Sequence, residues 1–111
     1  MVLSKRKGYM VERKVRKILE RNGWKVVRAS GSLGDVDLVA LKNRKCFLFQ
    51  VKSTRKEKFY FYGERKKKIE GFPYYLVVDF GNNVIKVVKP KKVVRKKDGI
   101  DITRFIKHPP K

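Results

Sequence analysis

The stretch Asp37-Leu38-Val39-Ala40-Leu41-Lys42-Asn43-Arg44-Lys45-Cys46-Phe47-Leu48-Phe49-Gln50-Val51-Lys52 decides the fold. Two apolar runs, 38–41 and 46–49, flank a polar Lys42-Asn43-Arg44-Lys45. With Asn43 and Arg44 as the tip of a hairpin, Asp37 lies directly opposite Gln50. Lys52 shares their face, because side chains on one face recur every second residue and directly opposed Cβ atoms stand only ~4.5–5.5 Å apart. An acid, an amide carbonyl and an ammonium therefore converge, and such a set can hold a divalent metal beside a phosphate. Asp35 competes for the acid's place, since it shares the strand phase, but Gly34 argues against extending the ladder that far and favours Asp37.

Working outward, residues 7 to about 22 read as a helix, with Val11, Val15, Ile18 and Leu19 at helical spacing and Asn22-Gly23 as the stop. Trp24 to Ala29 reads as a strand and Ser30-Gly31-Ser32-Leu33-Gly34 as a loop that leads into hairpin strands of roughly 36–42 and 45–52. The hairpin strands are continuously apolar, which predicts a sheet covered on both faces, with helices on each side. A short second helix near Glu64 to Glu70 would supply the other layer. Tyr74 to Phe80 and Val84 to Val88 read as further strands about a Gly81-Asn82-Asn83 turn, giving about five strands. The expected architecture is a single α/β domain over 1–111, a mixed central sheet flanked by helices, with a basic C-terminal tail from about 89.

Thirty-one Lys and Arg against 10 Asp and Glu give a formal net charge of +21. That excess is beyond what solubility needs and implies a polyanionic partner, nucleic acid first. Lys-rich surfaces also suit thermophilic proteins, but those usually balance Lys with Glu, and the balance is missing. No apolar run approaches the ~20 residues that cross a bilayer, and Met1-Val2-Leu3 passes at once into Ser4-Lys5-Arg6-Lys7 without a signal core, so an intracellular location is expected, cytoplasmic or in a host cytoplasm for a viral chain. A single cysteine, Cys46, excludes an intrachain disulfide and reads as a buried core thiol. A single histidine, His108, near a Pro-rich end, removes histidine zinc sites and histidine general bases from consideration.

Each candidate has an ordinary reading beside the chemical one. Glu12 falls at the border of the helix's apolar arc and can look along the core edge toward the sheet; taken alone an i, i+4 pair with Arg16 is the commoner explanation, and the hairpin acid is what favours a place in the site. Gln50 and Lys52 would be surface positions on an edge strand, but Phe47-Leu48-Phe49 and Val51 suggest an interior strand. An ammonium there needs an acidic or phosphate partner, and burial would lower its pKa enough for proton transfer. Ser30 and Ser32 can reach a phosphate through their hydroxyls or serve only the loop. Tyr60, Phe61 and Tyr62 among Lys56, Lys58 and Arg65 suit base stacking, or else core or interface.

Gly8-Tyr9-Met10-Val11-Glu12-Arg13, Val26-Val27-Arg28-Ala29-Ser30-Gly31-Ser32, Asp37-Leu38-Val39-Ala40 and Gln50-Val51-Lys52, in that order, resemble the archaeal-type Holliday-junction resolvases of the PD-(D/E)xK nuclease superfamily. The resemblance runs from about Lys5 to Lys52. It implies a two-fold homodimer without a small-molecule cofactor that nicks opposed strands of branched DNA using Mg2+, with Mn2+ as a substitute. In that frame Glu12 is the helix-borne acid, Asp37 the principal metal ligand, and Lys52 the catalytic lysine. Gln50 stands where these resolvases usually carry Glu; it keeps a neutral carbonyl ligand and removes one negative charge. Arg13 and Arg28 would support phosphates or the site, Ser30 the scissile strand, and Ser32, Lys5, Arg6, Lys7 and Arg55 would add DNA contacts. Two rivals are a nuclease for flaps, nicks or duplex, and a non-catalytic DNA-binding module that lost activity through Gln50.

Overall fold

A computed structural model describes residues 3–29 and 33–110, with the side chains of 3–7 excepted. Helix α1 spans Leu3–Arg21, starting a turn earlier than its apolar stripe requires. Val15 and Leu19 on that stripe are fully buried, and Val11 and Ile18 pack beside them. The helix stops where expected: Gly23 takes the left-handed region at φ 89°, and the Trp24 N–H closes back on the Leu19 carbonyl at 3.1 Å. Such a turn satisfies carbonyls that the last helical turn leaves free, and glycine adopts it without a Cβ clash.

Strands β1 (Lys25–Arg28), β2 (Leu38–Lys42) and β3 (Lys45–Ser53) follow as an antiparallel run. The β2–β3 register pairs Lys42 with Lys45 and Leu38 with Phe49, as the proposed tip demands. Asn43 and Arg44 both have positive φ, 49° and 67°, the signature of a type I′ turn whose twist matches that of the strands.

After β3 the chain makes β4 (Lys58–Tyr60), β5 (Lys68–Ile69), β6 (Phe72–Asp79), β7 (Ile85–Val88), β8 (Val93–Arg95) and β9 (Ile100–Asp101), then helix α2 (Ile102–Lys107). The main sheet runs β1-β2-β3-β6-β7-β9, with β5 paired to β6 and a separate β4-β8 ribbon, so it has more strands than the five expected. Among the described strands only β3 and β6 pair in parallel, so the sheet is mixed. The helix expected at Glu64 to Glu70 does not form. Glu70 and Gly71 both have positive φ, 51° and 84°, and make the turn of the β5–β6 hairpin instead.

The core divides by the pleat. Phe47, Phe49 and Val51 of β3 face α1, together with Val77, Val87 and the α2 residues Ile102, Phe105 and Ile106. Both helices thus cover one side. On the other, Leu76, Val78 and Val88 pack against Phe61 and Val94 of the β4–β8 region, while Leu48 and Tyr74 close over Ala29 and Val36. Both faces are covered, as continuous apolar strands require, but the second layer is a β-ribbon and loops. Residues after Lys89, read from sequence as a tail, contribute β8, β9 and α2 to these layers.

Candidate nuclease site

The hairpin carries the site. Beyond the last β2–β3 pair the Asp37 N–H still bonds the Phe49 carbonyl at 2.8 Å, and Oδ2 of Asp37 accepts the Val51 N–H at 2.7 Å. This second bond fixes the carboxylate over β3, between Gln50 and Lys52. Burial, and the nearby negative charges of Glu12 and Asp35, raise the Asp37 carboxyl above its ordinary pKa, while the Val51 N–H and the Lys52 ammonium pull the other way. The acid is therefore desolvated and electrostatically underprovided with positive charge.

Lys52 shares this environment but is exposed rather than interior. β2 begins only at Leu38, so its partner strand does not cover the end of β3 where Lys52 emerges. Gln50 is buried, and its Oε1 accepts the Tyr74 hydroxyl at 2.7 Å. Tyr74 is the residue that sequence reading missed: it pairs with Leu48 across the parallel β3–β6 ladder and so stands diagonally beside Gln50. Its phenol is pushed up strongly by burial and by the charges of Asp35, Asp37 and Glu64, so it stays a hydroxyl donor. No local pattern announces such a partner, because it comes from a non-local strand pairing.

Glu12 reaches the same end of the sheet but does not pair with Arg16. Its Oε1 accepts Nε of Arg28 at 2.8 Å, and the Arg28 guanidinium lies over the Tyr9 ring, 5.0 Å from its centroid. That exposed guanidinium is held above its usual pKa chiefly by its bond to Glu12. Asp35 is engaged elsewhere: its Oδ2 accepts the Glu64 N–H at 2.9 Å. Arg13 and Arg55 are exposed and make no ion pair among the described residues. Ser30 and Ser32, and the side chains of Lys5, Arg6 and Lys7, lie outside the described residues. Cys46 is half-buried rather than a full core residue, its thiol pushed up by burial.

The candidate donors at this end of the sheet are oxygens: the Asp37 carboxylate, the Gln50 carbonyl and, at the rim, Glu12. Hard oxygen donors suit Mg2+ or Mn2+ rather than zinc. No group of three His, Cys, Asp or Glu residues poised to hold a metal occurs among the described residues, so a metal here would rest on two carboxylates and one amide. The raised Asp37 carboxyl fits that role, since a cation would relieve the charge that now holds a proton more tightly. Gln50 fits conditionally, because its carbonyl has a second lone pair beside the one that Tyr74 occupies.

The family described as archaeal Holliday junction resolvase (Hjc) matches residues 3–108. The chain belongs to the archaeal Holliday junction resolvase family. It is 34% identical over 86 residues to the crossover junction endodeoxyribonuclease Hjc of Methanocaldococcus jannaschii; the match covers 72% of this chain and 64% of that relative. The chain therefore aligns with somewhat less than two thirds of the relative's length. Its fold is similar to that of Hjc from Archaeoglobus fulgidus, described as a Holliday junction resolvase from an archaeal hyperthermophile, with a TM-score of 0.70, 91% of this chain and 96% of that one covered, and 17% sequence identity. At that identity the likeness speaks for the fold.

Proposed function

We propose that this resolvase-family chain is a metal-dependent endodeoxyribonuclease that cuts four-way DNA junctions by paired nicks, working as a homodimer. Family membership supports the substrate class, and the printed activity of the Methanocaldococcus relative supports the reaction. The observation that carries the chemistry is the end of the hairpin, where Asp37, locked by the Val51 N–H, stands at the strand that bears Gln50 and Lys52. A bound Mg2+ would supply a water of lowered pKa and neutralise phosphate charge. Asp37 and Gln50 would hold it, with Glu12 at the rim. Lys52, exposed and close enough to Asp37 to act on its charge, would orient the attacking water and stabilise the negative charge that grows on the phosphate oxygens. Arg28, Arg13 and Arg55 would anchor flanking phosphates.

A synthetic four-way junction, incubated with purified protein with and without Mg2+ and resolved by strand, tests the reading. Paired nicks on opposed strands are expected only with metal. Lys52→Ala and Asp37→Ala should each lower the cutting rate at least ~10²-fold, the scale on which removing a group that stabilises transition-state charge is felt, while junction binding persists. Wild-type cutting rates in either variant would overturn the assignment, and equal cutting of linear duplex would point to a less selective nuclease. One observation favours a second reading, a DNA-binding module without catalysis: Gln50 lacks the charge of a glutamate and already spends its carbonyl on Tyr74. Cleavage that appears only in Gln50→Glu would establish it.

A further inference from the structure

Tyr62 is 81% exposed, the most open of the large apolar side chains among the described residues. The segment that carries it is nevertheless fixed on both sides. Phe61 is buried among Leu76, Val78, Phe80, Val88 and Val94, and its N–H donates to the Lys92 carbonyl at 2.8 Å. Gly63 fits so closely that an added Cβ would lie 2.6 Å from the Phe61 ring and 3.2 Å from the Asp35 carboxylate. The Glu64 N–H then closes on that same carboxylate at 2.9 Å. Tyr62 thus stands on a tethered backbone beside Asp35, two residues from Asp37, and its ring makes no aromatic or cation contact among the described residues.

We infer that Tyr62 is a specificity-determining residue that stacks on the base ending an arm at the branch point of the DNA. This rests on the junction-cutting reading above. Within continuous duplex each base already has a neighbour on both faces, so a protein ring finds a free face only where the stack is interrupted. An aromatic ring held in place binds such a face without ordering a loop first, and stacking tolerates any base sequence because every base presents a π face. The exposed Arg65 and Lys66 supply positive charge along the same stretch of chain for the adjoining phosphates.

The test uses the full chain in the absence of divalent metal, so that nothing is cut, with a four-way junction carrying a fluorescent adenine analogue at the branch and a linear duplex of the same composition. Wild-type protein should prefer the junction and change the analogue's fluorescence. Tyr62→Ala should lose roughly 5- to 100-fold in junction affinity, the fold-change corresponding to base–aromatic stacking, keep its duplex affinity and abolish the fluorescence response. Tyr62→Phe should retain all three. If Tyr62→Ala keeps the junction preference, or weakens both DNAs equally, the inference fails while the nuclease reading stands. A lower molar mass of Tyr62→Ala in light scattering would make the ring a dimer contact and also overturn it. A wild-type chain with no preference for junctions would overturn the junction reading, and this inference with it.

Discussion

At the scale of single residues, Asp37 illustrates how a buried carboxyl is kept at the expense of stability. Its carboxyl is raised in the folded state, first by burial. A raised folded-state pKa contributes stability below the unfolded carboxylate pKa, and that contribution is lost as pH rises through the folded value. Asp37→Asn should therefore raise the melting temperature at neutral pH, and the gain should vanish below about pH 3.5, near the ordinary carboxylate range. Metal binding should weaken on acidification from a higher pH than an ordinary aspartate would give. At Gln50 the missing charge is the lever: Gln50→Glu should tighten Mn2+ binding by about tenfold, because ligand charge sets hard-cation affinity, measured by calorimetric titration. The β2–β3 register was legible because a two-residue tip leaves little freedom, but the ladder ends at Leu38 and Phe49, and the Asp37 N–H bonds the Phe49 carbonyl, one step short of the expected pairing with Gln50. The exposure of Lys52 was not legible: its apolar neighbours Phe49 and Val51 signal an interior strand, and only the early end of the partner strand uncovers it.

Among the elements, turns decided what sequence could and could not reveal. Asn43 and Arg44 both occupy the left-handed region, which asparagine tolerates and arginine does not favour. Arg44→Gly should stabilise the chain by ~1 kcal/mol in denaturant titration without altering the site, since it relieves that strain in a turn that prefers glycine. The segment around Glu64 to Glu70 read as a helix because its charged residues form helices readily. Its left-handed Glu70-Gly71 turn and the β5–β6 pairing prevailed, a tertiary choice that propensity does not contain. β9 and α2 were equally hidden, because two-residue strands carry no periodicity. They hang on Gly99, where a Cβ would overlap the Val88 side chain and the Val87 carbonyl. Gly99→Ala should destabilise by about 2–4 kcal/mol through overpacking and a strained left-handed backbone, seen as early loss of protection in β9 and α2.

For the whole molecule, charge outweighs shape. A net charge of +21 on a body of 37 × 30 × 27 Å makes a polyanion the natural partner. Log affinity for duplex arms should fall by roughly 0.9 per neutralised phosphate against log salt, and a flat response in a binding titration would remove the electrostatic account. Composition alone made this much readable, whereas the α/β class came from the spacing of apolar residues and the turn signals between them. The core's division between a two-helix side and a ribbon side was not readable, since it depends on where distant segments return. One consequence of the parallel β3–β6 pairing concerns folding. The β2–β3 hairpin closes over a two-residue tip, and hairpins form in ~1–10 μs. The β3–β6 pairing must first close the whole excursion through 54–71 and pay a larger loop entropy. Asp37 and Lys52 thus meet early on the path, whereas Tyr74 reaches Gln50 late. In a refolding experiment the amides of 38–49 should gain hydrogen-exchange protection before those of 74–79, and nuclease competence should appear with the second group. A nascent chain would then carry Asp37 and Lys52 on one finished hairpin for a time, with Gln50 still lacking the hydroxyl that the parallel pairing brings to it.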